Sequence, residues 1–285
     1  MKNLWLLTFV FTSGLLFSQS GKVMDQLSLK SKILDSERKY AIYLPGDYDY
    51  SSREYPVLYL LHGAGDDHTG WVQFGEVKSI ADKANKEGLS TSMIIVMPDA
   101  QTGMRGYFND IDNQWNYEDF FFEEFIPFIE KKYRIKSEKR YRAIAGLSMG
   151  GGGSFIYALR HPDMFSSACP LSAYLGPISF EDFYQKTKEK YKGIRKDKVF
   201  NYHSNHYALS IIKNQTDEKL KSVRWYIDCG DDDFLYESNS LAHIALKKRG
   251  IPHEYRVRDG DHNWTYWRSA LPEVLSFITE HFNQE

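Results

Sequence analysis

Short apolar runs alternate along this chain with longer stretches of helical periodicity. Val57-Leu58-Tyr59-Leu60-Leu61 and Met93-Ile94-Ile95-Val96-Met97 contain no charged position, as expected of strands covered on both faces. Arg142-Ala143-Ile144-Ala145-Gly146 and Val223-Arg224-Trp225-Tyr226-Ile227 complete a central set. Residues 40–45 alternate weakly and read as an early, partly exposed strand, while Glu254-Tyr255-Arg256-Val257 makes a late one. Helical patterns fall near 77–86, 117–133, 154–160, 238–248 and 270–282. Strands alternating with helices imply right-handed crossovers, hence an α/β fold with a mostly parallel central sheet and helices on both faces. No linker rich in Pro, Gly or Ser divides the chain, and there is no internal repeat. The stretch from about 176 to 221 breaks the alternation and carries a Lys-rich run at 186–198. It reads as an insertion over the sheet, its charge run a solvated helix face, within one domain at 21–285.

The first twenty residues stand apart. Lys2 precedes a largely apolar run from Leu4 to Phe17, and Ser18-Gln19-Ser20 supplies small residues for cleavage. The run is short for a bilayer span of about 20 residues, so 1–20 reads as a secretory signal peptide. Export to the periplasm or the extracellular space is expected, without a stable membrane anchor.

Charge narrows the picture further. The 36 Lys and Arg residues against 38 Asp and Glu give −2. That balance lacks the basic surplus that nucleic-acid binding needs. Two cysteines make no disulfide framework and no C-x-x-C zinc pair. Cys169 and Cys229 both lie at the ends of apolar runs, where buried free thiols are expected.

Candidate chemistry centres on Gly146-Leu147-Ser148-Met149-Gly150, a G-x-S-x-G motif between a strand and a helix. A nucleophile elbow needs that context, because its sharp turn tolerates only tiny neighbours. Glycines at 150–153 then open the helix, although each costs about 1 kcal/mol against alanine. Close packing of helix, elbow and sheet supplies the steric reason. Ser148 is the expected nucleophile, and it needs a base to take its proton. Of the nine histidines, His262 lies in a loop after the last strand, at the sheet edge towards which the elbow points. His161 ends the elbow helix before Pro162 and suits a cap. His62 suits a structural or oxyanion-loop role, and His203 and His206 lie in the insertion. An orienting carboxylate is expected in Asp231-Asp232-Asp233 after the strand at 223–227, in Ser…Asp…His order. Residue physics leaves these three open, with a calcium loop as the rival reading. The oxyanion hole needs two N–H donors: Met149, after the nucleophile, and Ala64 in Leu61-His62-Gly63-Ala64-Gly65.

Taken together, Leu61-His62-Gly63-Ala64-Gly65, Trp71, the elbow, Gly230-x-x-Asp233 and His262-x-Trp264 resemble the esterase D group. Within it, the pattern is similar to carbohydrate esterase family one, which includes feruloyl and acetyl xylan esterases. The likeness runs from about residue 33 to the C-terminus. It implies an α/β-hydrolase fold with no metal or organic cofactor, and it selects Asp233, the last residue of G-x-x-D, as the acid. The implied reaction is hydrolysis of acetyl or feruloyl esters on plant polysaccharide. Trp71, Tyr107, Trp264 and Trp267 are candidates for an aromatic wall against that substrate. Rival readings are an acyltransferase acting on a sugar hydroxyl, an S-formylglutathione hydrolase, and a non-catalytic carbohydrate-binding protein. Sequons at Asn214 and Asn263 read as incidental, since a glycan on Asn263 would crowd His262.

Overall fold

The computed structural model describes residues 20–101, 106–176 and 179–283. Of the expected leader, only Ser20 falls within them. Eight strands form one sheet: β1 (Lys22–Ser31), β2 (Ser36–Leu44), β3 (Val57–Leu61), β4 (Ile94–Pro98), β5 (Arg142–Leu147), β6 (Ser167–Leu171), β7 (Arg224–Gly230) and β8 (His253–Arg258). Their spatial order is β1-β2-β4-β3-β5-β6-β7-β8. β1 and β2 form an antiparallel pair, β2 runs antiparallel to β4, and every later pairing is parallel. The reversal of strand order at β4 and β3 places β3 beside β5, with Leu61 level with Gly146. Two chain segments that carry candidate chemistry thus end side by side.

β3, β4 and β5 are buried at every position, because helices cover both faces. Helices Val77–Lys86 and Trp264–Phe282 bury Val77, Trp267, Leu271 and Ile278 against one face. The elbow helix (Met149–Arg160), the helical stretch from Tyr117 to Lys132 and helix Tyr236–Lys248 bury Phe121, Phe125, Tyr157 and Leu246 against the other. Within that stretch, Phe120–Phe125 is a π-helical turn that places Phe121 and Phe125 in stacked contact at 5.8 Å. The high aromatic content goes largely into these two cores.

β1 has no counterpart in the apolar pattern. As an edge strand it keeps most of its positions at least partly exposed, so polar residues are tolerated and the alternation blurs. β6 extends only five residues and contains Pro170. Its pairing with β7 skips from Ala168 to Leu171, as expected where a residue lacks an N–H. Cys169 and Cys229 are buried, unbonded thiols on these neighbouring strands, and burial pushes both well above the usual thiol range.

Between β6 and β7 lie helices Phe180–Thr187, Lys196–His206, Ala208–Asn214 and Asp217–Lys221. They bury Tyr191 and Val199 with Ile111 in a small core of their own. The lysines at 186, 188, 190, 192, 196 and 198 are exposed, which accounts for the charge run as a solvated surface. Among the described residues, no helix is long and apolar enough to cross a membrane.

Candidate active site

Ser148 sits between the end of β5 and the elbow helix with φ 55° and ψ −115°. A non-glycine residue there is strained by about 1–3 kcal/mol and persists only where its surroundings hold it. They do so from both sides: the Ser148 N–H donates to Leu171 O at 3.0 Å, and its carbonyl accepts from Gly152 N–H at 3.0 Å and Tyr174 N–H at 2.9 Å. The glycines make the close approach possible. A Cβ on Gly150 would stand 2.5 Å from His62 O and 2.7 Å from Leu61 O, and one on Gly151 would stand 2.6 Å from Leu171 O. Helix propensity alone would make Gly150→Ala stabilising by about 1 kcal/mol. The backbone clash reverses the sign, and we expect a loss of about 2 kcal/mol or more. Urea unfolding at constant m-value measures it, and a neutral or stabilising result contradicts the steric role.

His262 follows β8 and precedes helix Trp264–Phe282, whose first turn is fixed by Asn263 Oδ1 accepting the Tyr266 N–H at 3.1 Å. The asparagine of the second sequon is therefore a helix cap. This turn brings His262 Nε2 to 2.9 Å from Ser148 Oγ, while Nδ1 lies 2.8 Å from Asp233 Oδ2. Asp233 is fully buried and its other oxygen accepts the Leu235 N–H at 2.8 Å. Burial alone would raise its pKa, but hydrogen bonds from His262, the Ser172 hydroxyl and the Leu235 N–H hold it below the usual carboxylate range. An ionised carboxylate only accepts, so in the neutral imidazole Nδ1 carries the proton and Nε2 is left to accept from Ser148. Asp231 and Asp232 are exposed, and the Asp231 carboxylate accepts the Gly260 N–H at 3.1 Å instead. Of the three aspartates, Asp233 is the one whose carboxylate meets His262.

Ser172 carries no motif in the sequence. Its hydroxyl reaches Asp233 while accepting the Trp267 indole N–H at 3.0 Å, which ties the acid to the helix behind the histidine. Trp267 also meets the His262 ring edge-on at 4.9 Å, and Phe234 covers another side at 4.6 Å. Deeper in β7, buried Asp228 accepts from the Tyr226 hydroxyl at 2.9 Å and pairs with Arg258 at 3.0 Å. It fastens β7 to β8 beneath the two loops.

The loop after β3 lies against Ser148: a Cβ on Gly63 would stand 3.5 Å from Ser148 Cβ. Among the described residues, neither the Ala64 nor the Met149 amide donates to a protein acceptor, so both remain free for a ligand. His62 is buried, and Ala100 N–H donates to its Nε2 at 3.0 Å. Nδ1 then carries the proton and donates to Gly63 O at 2.9 Å, while burial pulls its pKa down. His62 is a neutral brace of the loop. His161 is held by Glu118 at 2.7 Å at the far end of the elbow helix.

Two expected wall residues lie elsewhere. Tyr107 is fully buried, and its hydroxyl accepts the His62 N–H at 2.9 Å and donates to His62 O at 3.0 Å. Trp71 is also fully buried, with its indole N–H on Leu61 O at 3.0 Å. Both side chains satisfy backbone groups behind the loop, so neither presents a face to a substrate. Tyr107→Phe would leave two buried backbone groups of His62 unpaired. It should cost about 1–3 kcal/mol of stability and lower kcat for esters several-fold, measured by thermal unfolding and steady-state kinetics together. Trp264 does face the site, and it rests edge-on against Trp71 at 5.2 Å. Exposed Phe74 packs beside it at 6.0 Å, a contact that local spacing gives no means to find. Gly63, Ala64, Asp66, Phe74, Ser148 and Trp264 line an open cleft of about 320 Å³.

A mostly parallel eight-stranded sheet, with a serine on a strained turn between its central strand and the following helix, defines an α/β-hydrolase. The family described as "Putative esterase" matches residues 31–278, and the chain belongs to that family. It is a carboxylic ester hydrolase. A solved ferulic acid esterase superposes with TM-score 0.82 at 38% identity, over 93% of this chain and 100% of its own. An endo-1,4-beta-xylanase/feruloyl esterase of Xylanibacter ruminicola is 36% identical over 83% of this chain, which spans only 28% of that longer protein. An acetyl esterase of Caldicellulosiruptor saccharolyticus is 24% identical over 90% of this chain and 97% of its own.

Proposed function

We propose that the protein is an exported serine esterase that removes acetyl or feruloyl groups from plant polysaccharide, with Ser148, His262 and Asp233 as its triad. The observation that carries this reading is the unbroken chain from Ser148 Oγ through His262 to buried Asp233, at 2.9 and 2.8 Å, beside two unengaged amides. The Ser148 oxygen attacks the ester carbonyl as its proton passes to His262 Nε2. The Ala64 and Met149 N–H groups hold the oxyanion. When the intermediate collapses, His262 returns that proton to the leaving alcohol and an acyl-serine remains. Water then attacks, gives a proton to His262, and the acid leaves as Ser148 is reprotonated. Asp233 stays ionised and stabilises the imidazolium.

Relatives named as acetyl and feruloyl esterases support the substrate class, and the apolar leader supports export. A panel of short-chain acyl esters, methyl ferulate and acetylated xylan tests the reading. Preference for the feruloyl or the acetyl-xylan substrate is expected. Inertness towards all three removes it, and transfer of the acyl group to an added sugar in place of water replaces it with a transferase.

A further inference from the structure

Most aromatic rings among the described residues are buried, but Phe74, Tyr174, Phe234 and Tyr236 are 50%, 53%, 70% and 56% exposed. Single exposed rings need no explanation, but each of these four residues adjoins Ser148, Asp233, His262 or the cleft, through its ring or its backbone. Phe74 lines the cleft, the Tyr174 N–H bonds Ser148 O, and the Tyr236 N–H bonds Asp233 O at 2.9 Å. Phe234 lies 4.6 Å from the His262 ring.

Phe234 sits on a turn held at both flanks. It directly follows Asp233, whose two oxygens are held by His262 and by the Leu235 N–H. The Asp232 N–H donates to Gly260 O at 3.1 Å on its other side. A turn fixed at both flanks therefore holds an apolar ring in water beside the catalytic base. The chemistry then sets what meets it. His262 must deliver its proton to the oxygen of the leaving alcohol, so that alcohol departs on the His262 side of the cleft.

We infer that Phe234 is a platform for the sugar ring that bears the ester, a specificity-determining residue for the leaving group and not for the acyl group. A sugar offers a face of C–H bonds with partial positive charge, which suits the negative face of an aromatic ring. The inference rests on the polysaccharide reading above.

The test is Phe234→Ala in the full chain, assayed on two esters that share one acyl group, a xylo- or arabino-oligosaccharide ester and the methyl ester. The acyl group is acetyl or feruloyl, whichever wild type cleaves faster. The ratio of kcat/KM for the sugar ester over the methyl ester should fall about tenfold, mainly through KM, and Phe234→Trp should restore it. An equal fall on both esters overturns the platform and makes Phe234 a support for His262. An unchanged ratio also overturns it. Wild type inert towards both pairs overturns the function on which the inference rests.

Discussion

Replacing Ser148 with alanine is expected to lower kcat for every cleavable ester by roughly 10⁵- to 10⁶-fold, while leaving the fold intact. The hydroxyl lies 2.9 Å from His262 Nε2, and without it no acyl-enzyme forms. Residual turnover would come from binding and the two free amides alone. Stability should change little, because the backbone bonds to Leu171, Gly152 and Tyr174 remain. Ser148→Gly sharpens the test. It is equally inactive, but it relieves the strain at φ 55° and should be more stable than the alanine variant by about 1 kcal/mol. Burst-phase kinetics and thermal unfolding on the three proteins check both halves. Retained turnover in either variant removes Ser148 as the nucleophile.

The sheet is legible in the sequence where burial is complete. β3 and β4 are apolar because helices cover both of their faces, so residue type alone reports them. β1 is not legible, since an edge strand with solvent on much of its surface has no need of an apolar run. The helix starts are legible only to within a few residues. Helix Trp264–Phe282 begins six residues before its apolar pattern becomes clear, because Asn263 caps it and the first turn serves the site.

The proposed triad is legible because three local signals fall in a fixed order: the G-x-S-x-G turn, an acidic loop after β7 and a histidine loop after β8. Choosing Asp233 over its neighbours required the resemblance, since three adjacent aspartates are equivalent until their burial is known. Ser172, Phe74 and Phe234 are not legible, because their roles arise from tertiary contacts with no sequence spacing. Trp71 and Tyr107 mislead for a related reason. An aromatic residue beside a catalytic loop can face the substrate or brace the backbone, and the difference lies in where its polar tip is satisfied. Here the Trp71 N–H ends on Leu61 O and the Tyr107 hydroxyl on His62.

Asp233→Asn separates the orienting role of the carboxylate from its bulk, and should lower kcat about 10⁴-fold at neutral pH. The amide has nearly the same shape, but it can donate. An N–H turned towards His262 Nδ1 favours the tautomer with the proton on Nε2, which cannot accept from Ser148. The imidazolium formed during acyl transfer also loses its counter-charge. A second readout comes from linkage. The Asp233 pKa is depressed in the folded protein, so its contribution to stability is present above the unfolded value of about 3.9. That contribution is lost as pH falls through the folded value, where unfolding takes up a proton. The asparagine variant cannot titrate there, so its unfolding free energy should fall less steeply than that of wild type as pH drops below about 4. Denaturant unfolding across that range measures the slope. Equal slopes with kcat within tenfold of wild type would remove Asp233 from the triad, whereas a large loss of kcat with a flattened acid limb assigns both effects to one carboxylate.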